Sequence, residues 1–373
     1  MTTVSVEDVV VRRNGETHLD GVCLHVGEGE FVGLVGSNGA GKTTLLECVN
    51  GVTSPDGGHV EVGGRDVGST SSKDLARQVA TMPQNPSIGF DYSVEEVVEM
   101  ARHPRRTGVF DVDGDDVDAA LRATDTLCFR GRRVSTLSGG ELRRVLLARC
   151  IAQDTPVLLL DEPTANLDVG AAVEVFERVR GLVDDGRTVL AAVHDLGLAA
   201  RFCDRIVALD DGGVATRGQP AEVLGSQETE DVFDSRLYVG LDALPSVTAY
   251  GGSGVGGETV HVVGNGDRLA EAVVTEWTAG NEVTAGPVRS TDASYDVAVD
   301  LCREVVAVDR RDEFEEVGSL FDALVEEADE VVLAASVKSG LLEDAFEAVG
   351  RDVDVVDGTP ARLTNRELRN SKL

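Results

Sequence analysis

The sequence predicts an α/β protein made of two parallel-sheet units. In the N-terminal part, the apolar run FVGLVG leads into a glycine-rich loop and then into TTLLECVNG, an order typical of strand, loop and helix. Two further apolar runs, VLLLDEP and TVLAAVHD, each follow a helical pattern, as strands of a parallel sheet do. After Leu244 the stretch PSVTAYGGSGVGGE has the Gly/Ser-rich composition of a flexible linker. The predicted domains are therefore 1–244 and 259–373, joined by a linker at 245–258.

The remaining elements follow from shorter patterns. Strand-like runs VSVEDVVV and VCLHV precede the glycine loop, and HVEVGGRDV after it is predicted to form a hairpin. Helices are predicted from Val94 and from Asp116, and VALDDGGVATRG is predicted to be a hairpin with Asp-Gly-Gly at its turn. Beyond the linker, VHVVG, EVTAG, EVVAVD, EVVLAAS and DVDVVDG alternate with helical patterns such as RLAEAVVTEW and FEEVGSLFDALVEEA. The C-terminal part is thus a second, smaller parallel α/β unit.

The composition restricts the class of partner. The 373 residues carry 66 acidic against 34 basic side chains, a formal net charge of −32, which argues against a nucleic-acid partner because phosphates would be repelled. The acidic residues are spread through segments that also carry apolar runs, which favours a solvated acidic surface over disordered acidic tails. Only four of the basic residues are lysines, a bias that resembles proteins of extreme halophiles and that a GC-rich genome could also produce.

Cysteine usage and hydropathy place the chain in the cytoplasm. The six cysteines lie far apart and form no C-x-x-C pair, so they are interpreted as reduced, buried thiols. No apolar run approaches the ~18 to 20 residues that cross a bilayer, and MTTVSVEDVV lacks the features of a signal peptide. We therefore expect any work at a membrane to go through a partner.

The glycine loop is a phosphate-binding motif. Gly36-Ser37-Asn38-Gly39-Ala40-Gly41-Lys42-Thr43, followed by Thr44, fits G-x-x-x-x-G-K-[ST] and stands between a predicted strand and a predicted helix. Glycines let backbone N–H groups turn inward around a phosphate, and the helix N-terminus adds partial positive charge. Lys42 is expected to bridge the β- and γ-phosphates, while the Thr43 hydroxyl is expected to bind Mg²⁺. The motif predicts a Mg-nucleoside triphosphate as ligand.

Two adjacent carboxylates follow the buried run Val157–Leu160. Asp161 and Glu162 end this predicted strand, so their side chains are expected to point to opposite faces and to do different work. Asp161 is the candidate Mg²⁺ ligand through water, and Glu162 is the candidate base for the attacking water. A lone Asp-Glu pair after a strand is more often a solvated strand end, but the upstream phosphate loop favours the functional interpretation.

Further motifs complete a set that resembles that of ABC-transporter ATPases over residues 1 to 235. They are LSGGE at Leu137–Glu141, Gln84 in MPQNP, Ala165-Asn166-Leu167-Asp168, and His194 in VLAAVHD. The resemblance implies a P-loop NTPase fold with an antiparallel β subdomain, a RecA-like parallel core and a helical subdomain. It also implies that Gln84 senses the metal and the lytic water, that His194 contacts the γ-phosphate, and that Asp168 reaches across a dimer interface. Signature residues Leu137, Ser138, Gly139, Gly140 and Glu141 would then bind the γ-phosphate held by the opposite subunit.

Two positions depart from the family pattern. The aromatic residue that normally stacks on adenine is missing from VVVRRNGETHLD, and Arg13 is the expected substitute because a guanidinium stacks on a base. The family often has Gln two residues after the signature Glu, whereas this chain has Arg143, a position that we expect to be peripheral to the phosphates.

The segment NPSIGFDYSVEEVVEMARHPRR resembles importers for vitamin B12, haem and iron-siderophores, where it would dock the permease. An ordinary amphipathic helix explains its apolar face equally well.

The resemblance implies ATP and Mg²⁺ as cofactors, a homodimer, two transmembrane permease subunits, an extracytoplasmic substrate-binding protein and a peripheral position on the cytoplasmic face of the cell membrane. Cobalamin is the expected cargo, with iron-siderophore or haem as the alternative. A soluble ATPase of translation or DNA maintenance is a further alternative, but such proteins usually carry tandem ATPase halves or a coiled-coil insertion.

The C-terminal unit has a strand, Gly264-x-Gly266 and a helix in the order of a Rossmann-like domain. Leu269 occupies the third glycine position and no acidic residue ends the next strand, so the nucleotide-binding fingerprint is incomplete. A structural or regulatory Rossmann-like domain is therefore favoured over a dinucleotide or ligand sensor.

Overall fold

The fold was obtained as a computed structural model. It forms two compact units, Met1–Asp234 and Ser235–Leu373, so the division falls earlier than the boundary expected after 244. A strand also lies at Ser246–Tyr250, inside the segment expected to be a linker. The structure describes residues 2–84, 91–105, 114–165, 167–234, 236–240, 246–250, 259–264, 266–288, 294–307, 328, 330–334 and 361–364.

The first unit alternates strands and helices along most of its length. Short 3₁₀ turns lie at Val67–Ser69, His103–Arg105, Leu127–Phe129 and Val134–Thr136. Its strands and helices in chain order are β1 (Thr2–Arg13), β2 (Glu16–Gly27), β3 (Phe31–Gly36), α1 (Lys42–Val49), β4 (Gly57–Val62), β5 (Arg65–Asp66), α2 (Ser72–Leu75), β6 (Val79–Met82), α3 (Val94–Met100), α4 (Gly114–Ala123), α5 (Gly139–Gln153), β7 (Val157–Asp161), α6 (Val169–Asp184), β8 (Thr188–Ala192), α7 (Leu196–Phe202), β9 (Arg205–Asp210), β10 (Gly213–Gly218), α8 (Pro220–Leu224) and α9 (Gln227–Phe233).

A six-stranded sheet forms the centre of this unit, in the order β10-β9-β3-β8-β7-β6. Strands β6, β7, β8, β3 and β9 run parallel, and β10 closes the edge as the antiparallel arm of the predicted hairpin. β3, β7 and β8 are buried along their whole length, which explains why they are continuous apolar runs without alternation. The carboxyl ends of β3, β7 and β8 therefore meet at one edge of the sheet, where ligands of open α/β sheets bind.

An antiparallel sheet, in the order β2-β1-β4-β5, packs against the central sheet through α1. Alternate valines and leucines of β1 and β2 point into one apolar cluster with Leu45 and Leu46 of α1, and the other face of these strands is polar. The β4–β5 pair confirms the hairpin that was predicted from HVEVGGRDV.

A helical layer contains α3, α4 and α5, as the sequence predicted from Val94 and Asp116. α3 begins with a capping box in which Ser93 and Glu96 each accept from the other's backbone N–H. Val98 of α3, Leu121 of α4 and Val145 of α5 are fully buried and pack in one cluster. The three parts implied by the family resemblance, an antiparallel sheet, a parallel core and a helical layer, are thus present in the first unit.

The described part of the second unit contains a hairpin and a five-stranded sheet. The sheet has the order β15-β14-β13-β16-β17, in which all neighbours are parallel except the antiparallel edge strand β17. The helical pattern FEEVGSLFDALVEEA and the strand pattern DVDVVDG lie outside the described residues, and the Rossmann-like assignment stays a prediction. The elements in chain order are β11 (Arg236–Gly240), β12 (Ser246–Tyr250), β13 (Thr259–Gly264), α10 (Gly266–Thr278), β14 (Glu282–Val288), α11 (Ser294–Leu301), β15 (Glu304–Ala307), β16 (Glu330–Ala334) and β17 (Ala361–Thr364).

The core of the second unit lies between this sheet and the helices α10 and α11. Val262 of β13, Val273 of α10 and Ala298 of α11 are fully buried in it. On β13, His261 is also fully buried, with Nδ1 2.7 Å from the Thr284 hydroxyl, and its burial lowers its pKa to about 4. Among the described residues of the whole chain, no helix is both long and apolar enough to span a bilayer.

Candidate nucleotide-binding and hydrolysis site

The glycine loop joins the end of β3 to the start of α1 in a conformation that only glycine adopts easily. Gly36 has a φ of 148° and Gly41 a φ of 103°. A Cβ at Gly36 would overlap the main-chain oxygen of Leu209, and one at Gly41 would lie 2.7 Å from the oxygen of His18. Gly41 is the N-cap of α1 and no side chain caps that helix. Its first N–H groups therefore face the loop, where an anion would satisfy them.

Lys42 lies inside this loop. Its side chain is buried, and Nζ donates to the main-chain oxygens of Gly36 at 2.7 Å and Ser37 at 2.8 Å. Burial lowers the pKa of Lys42, and the nearby carboxylates of Glu162 and Asp161 act in the opposite direction. The loop thus holds a partly desolvated ammonium group among carbonyl oxygens, close to where a phosphate would enter.

Thr43, in the first turn of α1, and Asp161, at the end of β7, bring a hydroxyl and a carboxylate together. The Thr43 hydroxyl donates to Oδ1 of Asp161 at 3.2 Å, although the two residues are far apart in sequence. Asp161 ends β7 and is buried, and this burial raises its pKa against the lowering effect of the Thr43 hydrogen bond. Oxygen ligands of this kind, with few protein carboxylates and room for phosphates and water, suit Mg²⁺.

Glu162 is held by a glutamine from a neighbouring strand end. Gln84, two residues after β6, donates from Nε2 to Oε2 of Glu162 at 2.7 Å. Strand alternation does not apply to Glu162, because β7 ends at Asp161 and Glu162 has a left-handed backbone with φ of 48°. Its N–H donates to the oxygen of Ala192 on β8. Asp161 and Glu162 therefore have different partners, and the cause is a backbone turn rather than the pleat.

His194 lies at the end of β8 and contacts the glycine loop. Its Nε2 lies 3.2 Å from Oδ1 of Asn38. His194 and Glu162 line the same surface depression of about 360 Å³, which continues over Leu167 and Val169. Val169 is 81% exposed, so this depression opens beside an apolar side chain that faces solvent.

The signature turn stands apart from the glycine loop. Ser138 is the N-cap of α5: its hydroxyl accepts from the N–H of Glu141 at 3.3 Å, and its own N–H donates to Oε2 of Glu141 at 2.7 Å. Ser138 and Gly139 are exposed. Among the residues that the structure describes, no hydrogen bond links this turn to the glycine loop.

Asp168 and Arg13 both make hydrogen bonds within the chain. Asp168 is exposed and caps α6 by accepting from the N–H of Ala171 at 2.9 Å. The Arg13 guanidinium donates to Glu47 of α1 at 2.8 Å and to the Thr53 hydroxyl. Stacking of Arg13 on adenine stays a prediction, and it would have to coexist with this ion pair or replace it.

Arg143 lies near the site, and the sequence alone did not predict this position. It is buried on α5, and Nη2 donates to the main-chain oxygen of Gln84 at 2.6 Å while Nη1 lies 3.4 Å from that of Pro83. The available signal was its departure from the Gln that is frequent at this position. The position is predicted to be peripheral to the phosphates, and its observed contacts are with the main chain at Pro83 and Gln84.

At the carboxyl ends of the parallel strands the chain thus collects a glycine loop with a buried lysine, a hydroxyl–carboxylate pair and a second carboxylate bonded to a glutamine, an arrangement typical of P-loop hydrolases. Residues 19–165 match the family model of the ABC transporter. A cobalamin import ATP-binding protein of Halobacterium salinarum is 44% identical over 307 residues, covering 79% of this chain and 76% of the relative. The chain therefore belongs to the family of ABC-transporter ATP-binding proteins, and it is an ATPase.

Other relatives and solved structures agree with this assignment. A hemin import ATP-binding protein of Nocardia farcinica is 45% identical over 243 residues, covering 64% of this chain and 84% of the relative. A dimeric ATP-binding cassette solved in a post-hydrolysis state with ADP and phosphate is 25% identical, with a TM-score of 0.53, and the match covers 58% of this chain and 98% of that one. The cbiO1 protein of Clostridium perfringens is 26% identical, with a TM-score of 0.54, over 62% of this chain and 93% of that one.

Proposed function

We propose that this chain is the ATP-hydrolysing subunit that energises an ABC importer for cobalamin. One observation carries the choice of cargo. The similarity to the cobalamin import protein of Halobacterium salinarum covers 79% of this chain, more than the first unit contains, so it extends into the second unit. The similarity to the hemin import protein covers 64%. Resemblance in the second unit thus supports cobalamin, and hemin or iron-siderophore import is the second candidate because identity over the ATPase unit is as high.

In this proposal the glycine loop binds the phosphates of ATP. The main-chain N–H groups of residues 36–44 and the N-terminus of α1 surround the β-phosphate, and Lys42 moves from its carbonyl partners to the β- and γ-phosphates. Thr43 and Asp161 would hold Mg²⁺, which would supply positive charge against the phosphates when bound. The observed contact between their oxygens supports this pairing.

In the same proposal, Glu162, Gln84 and His194 carry out the hydrolytic step. Glu162 accepts a proton from the attacking water, and Gln84, already bonded to this carboxylate, orients that water and would also be one of the residues that hold Mg²⁺. His194 lies beside the glycine loop and donates to the γ-phosphate as negative charge develops there. The γ-phosphate leaves as inorganic phosphate once its bond to the β-phosphate oxygen breaks.

The signature turn serves the nucleotide of a second copy. Ser138, Gly139 and Gly140 are exposed or partly exposed at the start of a fifteen-residue helix, where N–H groups and the helix dipole favour an anion. Two copies then sandwich two ATP molecules, with Asp168 at their contact. The dimeric cassette with ADP and phosphate supports this arrangement by analogy.

The partners of the proposed complex are two permease subunits that span the membrane and an extracytoplasmic substrate-binding protein. The permease would dock against α3. There, Tyr92, Glu99, Met100 and His103 line a depression of about 400 Å³, and Met100 is 48% exposed, which gives an apolar contact at a polar rim. This location places the chain at the cytoplasmic face of the cell membrane.

The proposal is tested by measuring cobalamin uptake in a strain from which the chromosomal gene for this chain has been deleted. Expression of the wild-type chain should restore uptake of labelled cobalamin at limiting concentration, and Glu162→Gln at equal abundance should not. Uptake of labelled hemin in the same strains is the parallel measurement. If hemin uptake depends on the chain and cobalamin uptake does not, the cargo is hemin. If the chain purifies with ribosomes or DNA and with no permease, it is not an importer subunit.

A further inference from the structure

Helix α5 is tied to the edge of the central sheet by side chains that reach main-chain oxygens. β6 is the outermost parallel strand of this sheet. Arg149 donates to the oxygen of Thr81 at 3.1 Å, and Gln153 donates to those of Ala76 and Val79 at 2.7 and 2.8 Å. Together with Arg143 they satisfy carbonyl groups along β6 and the residues on both sides of it. These contacts fix how α5 lies along the strand.

Arg143 differs from the other two because it acts at the end of β6 that enters the hydrolytic site. It is 8% exposed and donates at 2.6 Å to the main-chain oxygen of Gln84. The side chain of the same Gln84 donates at 2.7 Å to Glu162. Burial lowers the pKa of Arg143, opposed by the carboxylates of Glu162 and Asp161, so its charge lies within their electrostatic range. A buried, charge-assisted hydrogen bond is a strong positional restraint.

We infer that Arg143 is a positioning residue for hydrolysis: by holding the main chain at Gln84, it keeps the Gln84 amide against Glu162. The inference rests on the roles proposed above for Gln84 and Glu162. Arg143 also lies two residues after Glu141 on the same helix, so the signature turn and Gln84 are connected through one side chain. A displacement of the signature turn by a partner's nucleotide would then reach the water-activating pair of its own subunit.

The test compares Arg143→Met with Arg149→Met in the purified full-length chain. Both variants remove one guanidinium from the same helix, together with its hydrogen bonds to main-chain oxygens of β6 or of the residues that follow it. Arg143→Met should lower kcat for MgATP about tenfold while KM and MgATP affinity change less than about twofold. Arg149→Met should leave kcat within about twofold of wild type. Thermal unfolding of both variants measures the effect on the fold.

A double-mutant cycle with Gln84→Ala separates positioning from stability. Alanine at 84 keeps the main-chain oxygen that Arg143 binds and removes only the amide that reaches Glu162. If Arg143 acts through that amide, Arg143→Met should lower kcat by less than about twofold in the Gln84→Ala background. A tenfold fall in both backgrounds, or an equal fall for Arg149→Met, would show that Arg143 serves only the fold and would overturn the inference.

Arg143→Gln covers the case in which the methionine variant does not fold. It keeps an amide donor and loses the charge, so its kcat should lie between those of wild type and the methionine variant. A kcat equal to wild type for both substitutions also overturns the inference. The proposed function has a separate readout: if Glu162→Gln hydrolyses ATP normally, the hydrolytic roles are wrong, whereas loss of turnover there with normal Arg143 variants rejects only the positioning role.

Discussion

The first unit contains two glycine-containing turns that each open a helix, and they are built in opposite ways. The turn before α1 is closed: Lys42 is buried inside it, three glycines have positive φ, and no side chain caps the helix. The turn before α5 is open: Ser138 and Gly139 are exposed, and a capping box already satisfies the Ser138 and Glu141 N–H groups. In the proposed function the closed turn binds the phosphates of the chain's own nucleotide, since its cation and its N–H groups converge.

The open turn presents its remaining groups outward. Among the described residues no hydrogen bond links it to the glycine loop, and in the proposed function it binds a nucleotide on another molecule. A glycine-rich sequence before a helix therefore does not define one kind of anion site. The position of the cation and the presence of a side-chain helix cap distinguish the two kinds, so substitutions in the two turns should have different effects.

Glu162→Gln should have the largest effect. Loss of the general base is expected to lower turnover by ~10² to 10⁴, while the closed turn still binds MgATP. If the open turn of one copy meets the closed turn of another, this variant should accumulate as a dimer with MgATP. Phosphate release and light scattering measure the two results, with MgADP as control. A variant that stays monomeric at saturating MgATP would contradict the meeting of the two turns.

Ser138→Arg should lower turnover by ~10² to 10³, because bulk and charge displace the hydroxyl and N–H groups of the open turn. MgATP binding to the monomer should not change. The decisive measurement mixes this variant with Lys42→Ala chains, which lack the lysine of the closed turn. The mixed dimer contains one intact pair of turns out of two, and half of the dimers in an equimolar mixture are mixed, so mixing should restore about a quarter of wild-type activity. Two inactive proteins that remain inactive when mixed would mean that both turns act within one chain.

Lys42→Ala should weaken MgATP binding by ~10- to 100-fold, since a charge-assisted contact to phosphate is lost. The effect should appear in the monomer, because the closed turn is complete within one chain. Equilibrium binding at concentrations below dimer formation measures it, and Lys73→Ala, on the short helix Ser72–Leu75, is the matched control. Equal affinity for wild type and Lys42→Ala would place the nucleotide elsewhere.

Glu141→Ala should have the smallest effect, a fall in Tm of less than about 5 °C, with MgATP binding to the monomer unchanged. The Ser138 N–H and hydroxyl hold the pKa of Glu141 below its usual range, with Arg132 adding to this. A carboxyl with a lowered folded pKa stabilises when ionised, so its contribution is lost as the pH falls through that pKa. The Tm difference from wild type should therefore shrink below about pH 4. A constant difference across pH would mean that packing, not the cap, is responsible.

The sequence predicted the strands and motifs of the first unit because each is a local pattern. FVGLVG and VLLLD are apolar without alternation, and the glycine loop is contiguous. Contacts between distant residues were not predictable in this way. Arg13 is paired with Glu47 and Thr53 across two elements, and Arg143 reaches Gln84 through the packing of α5 on β6. A helical pattern shows which residues share a face, and it does not show which main-chain oxygen lies opposite one of them.

The left-handed backbone at Glu162 has a consequence for evolution and engineering. A non-glycine residue with φ near 48° holds roughly 1 to 3 kcal/mol of strain. Glu162→Gly should therefore raise the free energy of unfolding by about 1 kcal/mol while ending hydrolysis. Selection for stability alone would favour glycine at this position. A glutamate here indicates that activity has been retained at the expense of stability, and screens for thermostable variants should therefore tend to recover inactive chains substituted at position 162.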